Sequence, residues 1–168
     1  RVPEGAHEWY FYNQKMTPSV YRGMRVLHGC EANIVPDTDN GLDLPDELLE
    51  VLDFVSVGLH QLCGMDGGDI DANTHAVVRA ISNPLVDMLT HPGNDVAFPV
   101  RIIPIIEAAV QHNVIIELNN HSFDSHGSRI DTSDREVEFA LAAYEAGLPV
   151  AIGSDAHYWS AIGQHQPA

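Results

Sequence analysis

The stretch VRIIPIIEAAVQHNVIIELNNH, residues 100–121, carries one full structural period. Ile102, Ile103, Ile105, Ile106, Ala109 and Val110 recur broadly at i, i+3, i+4 and i+7, which predicts a helix over Val100–Gln111. Val114 to Leu118 (VIIEL) is β-branched and apolar, which predicts a strand, and it ends at the polar Asn119-Asn120-His121. A helix feeding a strand of this length is half of a βα repeat.

The same beat runs outward in both directions. Upstream, Met24–Cys30 reads as a strand, interrupted by His28 and ending at Glu31. Asp46–Leu52 (DELLEVL) reads as a short helix, followed by a strand over Phe54–Val57 that ends at His60. Asn73 or Thr74 can cap a helix with Ala76, Val77, Ala80 and Ile81 on one face, and Leu85–Leu89 is a strand ending at His91. Downstream, Ser133 and Glu136 have capping-box spacing, ahead of a helix whose expected buried stripe is Val137, Ala140, Leu141 and Tyr144. Gly147 stops that helix, and Pro149–Gly153 is a last strand ending at Ser154-Asp155-Ala156-His157. Strand and helix in alternation predict a parallel α/β sheet with helices outside it. The strand-end positions 31, 60, 91, 119 and 155 fall at intervals of 28–36 residues, and one βα unit takes about 30.

Composition removes several function classes. With 168 residues the chain is one domain in size; 45% hydrophobic and 19% charged residues are globular values that exclude a disordered chain. No apolar run approaches the ~20 residues of a membrane-spanning helix. Eight Lys plus Arg against 24 Asp plus Glu give a formal charge of −16, a field that repels nucleic acid. Cys30 and Cys63 form neither a CxxC nor a disulfide framework, so a reducing, cytoplasmic compartment is expected. Ten histidines is the unusual count.

Four of those histidines fall where chemistry would need them. Glu31, His60, His91, Asn119 to His121, then Asp155 and His157 each stand at the C-terminal end of an expected strand. In parallel α/β folds that edge is where loops build the active site. His, Asp and Glu converging on one rim are ligands for Zn, Mn or Fe, and a bridging carboxylate suits a multinuclear site. Residues two apart on an extended backbone point the same way, so Asp155 and His157 can face one cavity.

GCEANI at 29–34, GLH at 58–60, THPGN at 90–94, ELNNHSF at 117–123 and GSDAH at 153–157 also carry a resemblance. In order and spacing they resemble the polymerase and histidinol phosphatase (PHP) family, most closely its YcdX-like phosphatase branch, from about Ala6 to His157. The resemblance implies a distorted (βα)7 TIM-like barrel, of which about five βα units are present here. It also implies up to three Zn or Mn ions and hydrolysis of phosphate esters on a small phosphorylated substrate, with metal-activated water in place of a protein nucleophile. On that likeness Glu31 would be the bridging carboxylate, and His60 and His91 would complete one metal site. Asp155 would join Glu31 on a second metal, and His157 would serve a third.

The family's opening H-x-H strand, a further His and a D-H pair have no counterpart in residues 1–168. The chain is therefore expected to be a partial PHP domain, truncated at both ends, holding fewer ions than its relatives and of reduced activity and solubility on its own. Arg129, whose guanidinium fits phosphate oxygens, and His7 are candidate substrate-binding residues. His28, His75, His112, His126 and His165 read as structural or surface residues, and His121 as no ligand. Cys30 and Cys63 read as inert thiols, and Asp37, Asp39, Asp43, Asp66, Asp69 and Asp71 as solvated acidic loops. Two other classes compete with the phosphoesterase. An amidohydrolase-type C–N hydrolase would want a bridging Lys, and the chain offers only Lys15. A proofreading or metal-binding module of a DNA polymerase would want a basic strand-binding surface.

Overall fold

The computed structural model describes residues 8–65, 69–94, 97–123 and 131–163. Helix α1 (Glu8–Gln14) and a hairpin of β1 (Val20–Tyr21) and β2 (Met24–Arg25) precede the main sheet. That sheet contains β3 (Gly29–Asn33), β4 (Phe54–Gly58), β5 (Met88–Leu89), β6 (Ile115–Asn119) and β7 (Val150–Gly153), all parallel. Strand order follows chain order, β3-β4-β5-β6-β7, with no reversal, and the described sheet is open with β3 and β7 at its edges. Between the strands run α2 (Asp46–Leu49), α3 (Ile70–Ile81), α4 (Ile102–His112) and α5 (Ser133–Glu145), with α3 packed on α4 and α4 on α5.

Alternation along the strands sorts the two faces of the sheet. Val55 and Val57 of β4, Leu89 of β5 and Ile116 of β6 are at most 2% exposed and share one core with Val77, Ala80 and Ile81 of α3 and Ile105 and Ala109 of α4. Each such aliphatic side chain contributes about 1.5–3 kcal/mol by leaving water. The residues between them, Glu31, Ser56, Met88 and Glu117, lie on the opposite face. The helices thus cover one side and leave the polar row to the other. Among the described residues no helix is long and apolar enough to cross a membrane.

Several expectations need correcting. Met24–Cys30 is not one strand: Met24 and Arg25 pair back on Val20 and Tyr21 around Arg22-Gly23, both at positive φ, as a tight two-residue hairpin turn requires. The sheet strand starts at Gly29 and continues past Glu31 to Asn33, so Glu31 sits within β3 and not at its end. Helix α3 begins earlier than expected, because Asp69 caps it, its carboxylate accepting from Asp71 N and Ala72 N at 3.1 and 2.9 Å. Asp69 is thus no idle surface acid. Nor is Asp43, which accepts from the backbone N and side-chain amide of Asn33.

In α5 the expected capping box is absent. Thr132 takes the N-cap position, and the Glu136 carboxylate turns inward to residues of other elements. That rotation sets the buried face at Glu136, Phe139 and Ala143 and leaves Val137, Leu141 and Tyr144 exposed. His7, Asp66, His126, Arg129 and His165 lie outside the described residues.

Candidate metal centre

Three of the expected ligands meet. Glu31 projects from β3, His60 stands two residues past β4, and His91 two residues past β5. The Nε2–H groups of His60 and His91 donate to the same oxygen, Glu31 Oε1, at 2.9 and 2.8 Å. The two imidazoles cross edge to face, 5.0 Å apart and at 82°. Gly58 makes that crossing feasible: a Cβ there would come within 2.8 Å of His91 Cε1 and Thr90 Cγ2 and 3.0 Å of His60 Cε1.

Burial pushes the Glu31 carboxyl toward its neutral form. Hydrogen bonds from His60 and His91, with the charge those rings can carry, outweigh it and hold the group well below the usual carboxylate range. One ligand atom from each of Glu31, His60 and His91 lies within 4.8 Å of the others, the group of metal-ligand character found among the described residues. An ionised carboxylate and two imidazole nitrogens are a fitting donor set for Zn or Mn, and three protein ligands with an open position is the arrangement of a catalytic zinc. Among the described residues His60 Nδ1 and His91 Nδ1 are buried without a hydrogen-bond partner. The site's polar atoms are therefore only partly satisfied by the described residues, which also fits a site made to hold an ion.

Asp155 and His157 are not among the three residues whose ligand atoms meet; they follow β7, past its C-terminal end. The Asp155 side chain is 10% exposed and that of His157 is 77% exposed. His157 donates Nδ1–H to the Asp155 carbonyl oxygen at 2.9 Å. Both His91 (φ 33) and Asp155 (φ 49) have left-handed backbones. Such residues cost on the order of 1–3 kcal/mol each and persist only where their surroundings hold them.

What holds His91 is a residue absent from the ligand reading. Glu117, on β6 and only 5% exposed, accepts at one oxygen, Oε2, from His91 N (2.9 Å), from the Thr90 hydroxyl and from Asn119 Nδ2 (3.0 Å). Glu136, fully buried, accepts at Oε2 from Gly93 N (2.6 Å), and at Oε1 from Asn119 N and Ser122 Oγ, each at 3.4 Å. The sequence did hold a signal for Glu117: a carboxylate inside the apolar run VIIEL is costly unless hydrogen bonds satisfy it.

The remaining candidates behave as bystanders. His28 is bound to Thr17 Oγ1 at 2.7 Å and sits 3.5 Å from Asp53 Oδ2, tying the hairpin region to the sheet. His75 is exposed, and His121 donates its backbone N–H to Asn119 Oδ1 at 2.9 Å. No disulfide joins Cys30 and Cys63. Burial, with the charges of Asp43 and Glu31, pushes the Cys30 thiol up to about 12, so it is unreactive at neutral pH.

No protein-family model matches the chain. Individual proteins do. The chain is 40% identical over all 168 residues to proteins named "Probable phosphatase" from Thermoanaerobacter sp. (strain X514) and Thermoanaerobacter pseudethanolicus, covering 67% of each. It is 38% identical over 163 residues, 97% of its length, to one of the same name from Clostridium novyi, of which it covers 65%. The chain thus spans about two thirds of the length of these relatives. Identity of this extent over the whole chain places it in the family of these probable phosphatases.

Proposed function

We propose that the chain is the ion-binding part of a metal-dependent phosphate-ester hydrolase of the PHP type, YcdX-like branch, acting on a small phosphorylated substrate with Zn or Mn. The observation that carries this is the meeting of His60 Nε2 and His91 Nε2 at Glu31 Oε1. A bound divalent ion supplies Lewis-acid charge for phosphoryl oxygens and lowers the pKa of water. Glu31 brings the negative charge that holds the ion, and His60 and the buried His91 bring imidazole nitrogens.

The net charge of −16 supports the reading from another side. An anionic ester approaches such a chain most easily where bound cations offset the field. The order β3-β4-β5-β6-β7 supports five consecutive units of a βα barrel, with the site on its C-terminal rim. Asp155 and His157 would serve further ions on that rim, and Arg129 and His7 would contact the phosphate. We place the activity in the cytoplasm, in keeping with the absence of a disulfide between Cys30 and Cys63.

Lys15 is exposed and follows α1, outside the Glu31 cluster, which weakens the C–N hydrolase reading. The test uses the full-length protein with p-nitrophenyl phosphate and Zn or Mn. Turnover that needs the ion and falls at least 100-fold in Glu31→Ala and His60→Ala supports the proposal. Undiminished turnover in both variants refutes it. So does hydrolysis of cyclic amides with no action on phosphomonoesters.

A further inference from the structure

We propose that Glu117 and Glu136 are positioning residues, a pair of buried carboxylates that clamp residues 90–94 and thereby aim the His91 imidazole at the ion site. The inference rests on the metal reading above, but it concerns residues that are not themselves placed as ligands.

His91 reaches Glu31 from a segment, Thr90-His91-Pro92-Gly93-Asn94, whose backbone is left-handed at His91. A residue in that conformation, followed by proline, does not hold itself there. The hydrogen bonds that fix it come from two neighbouring βα units. Glu117 Oε2 gathers the His91 backbone N–H, the Thr90 hydroxyl and the Asn119 amide. Glu136, from the first turn of α5, takes the Gly93 N–H on the other side of His91. Asn119 joins the two carboxylates, donating its side-chain amide to Glu117 and its backbone N–H to Glu136.

The glycines of the neighbouring motifs are shaped to this arrangement. A Cβ on Gly153 would overlap Glu117 Oε1, and a Cβ on Gly93 would overlap Glu136 Oε2 and come within 2.6 Å of Glu136 N. Each carboxylate therefore occupies space that a side chain in THPGN or GSDAH would otherwise fill. Glu117 also lies between the His91 segment and Gly153, the last residue of β7 and two before Asp155, so one buried group bears on both parts of the rim. Three donors meeting on one oxygen call for a carboxylate, because an amide oxygen offers less lone-pair density and no charge.

The experiment follows cobalt(II) binding by the full-length protein, through its visible absorption and its affinity, well below the melting temperature. Wild type is compared with Glu117→Gln, Glu117→Ala and Glu136→Gln. Ile105→Val, a core change on α4, on the helix side of the sheet, serves as a control for general destabilisation. Amide exchange at His91 and Gly93 is read in the same proteins without metal.

The expected result is a 10–100-fold loss of cobalt affinity in Glu117→Ala with an altered visible band. A smaller loss is expected in Glu117→Gln and Glu136→Gln, with faster exchange at His91 or Gly93 and no change of band in Ile105→Val. Cobalt bound with unchanged affinity and band by all three clamp variants overturns the clamp while leaving the metal reading in place. A wild-type protein that takes up no cobalt overturns the metal reading and the aiming role together. Metal-free exchange then still reports whether the carboxylates hold the loop.

Discussion

Gly153 and Glu117 compete for one volume: the Glu117 carboxylate lies where a β-carbon on Gly153 would be. Gly153 has no positive φ, so its backbone carries no left-handed strain for alanine, and the nearest atoms a β-carbon would meet are those of the Glu117 side chain. Gly153→Ala should therefore cost about 1–3 kcal/mol as an overpacking change. In a Glu117→Ala background the volume is vacant and the cost should largely vanish. Urea denaturation of wild type, the two single variants and the double variant measures the coupling. Strict additivity would separate the two residues.

Gly58→Ala should damage the ion site more than the fold. The new methyl group presses on Thr90 and on both imidazoles, at 2.8–3.0 Å, while β4 keeps its pairing with β3 and β5. The expected outcome is at least a tenfold loss of zinc or cobalt affinity, with about 1–3 kcal/mol of lost stability. Titration calorimetry beside thermal melting checks it.

The α5 surface gives a test of which face is buried. Phe139 is fully buried, while Val137 on the same helix is 40% exposed. Phe139→Ala should cost about 3–5 kcal/mol. Val137→Ala should stay within about 0.5–1 kcal/mol, since a half-exposed side chain leaves a smaller cavity. Equal losses in chemical denaturation would mean that Val137 packs as tightly as Phe139 in the full-length protein.

The βα beat was legible because apolar runs such as VIIEL and FVSV form strands largely through local composition and burial. Glu31, His60 and His91 were legible because each follows, or interrupts, such a run in a recognisable motif. What escaped was set by tertiary hydrogen bonding. Ser133 and Glu136 have the spacing of a local cap, yet Gly93 N–H is a buried donor that needs Glu136 more. Once Glu136 turns inward, the whole face of α5 turns with it, and the stripe at Val137, Leu141 and Tyr144 ends up outside. The role of Glu117 was hidden because two of its partners, His91 and Thr90, lie 26 and 27 residues earlier in sequence. Met24 and Arg25 looked continuous with the sheet strand because the hairpin turn at Arg22-Gly23 precedes them, and between Arg25 and Gly29 only His28 breaks the apolar run.

Metal binding should itself stabilise the fold, with a sign that follows from linkage. The ligand atoms of Glu31, His60 and His91 come from three different strands or their ends, and they are brought within 4.8 Å only in the native state. An ion that binds the native and not the unfolded chain adds RT ln(1 + [L]/Kd), about 2.7 kcal/mol at one hundred times Kd. For a chain of this size each kcal/mol moves the melting temperature by about 2–4 °C. Saturating Zn or Mn should therefore raise the midpoint of the full-length protein by roughly 5–10 °C, and excess chelator should reverse the gain. Glu31→Ala removes the carboxylate on which both imidazoles converge, so most of this response should disappear in that variant. Differential scanning calorimetry with and without chelator decides it: an equal metal-induced shift in wild type and Glu31→Ala would place the bound ion somewhere other than this cluster.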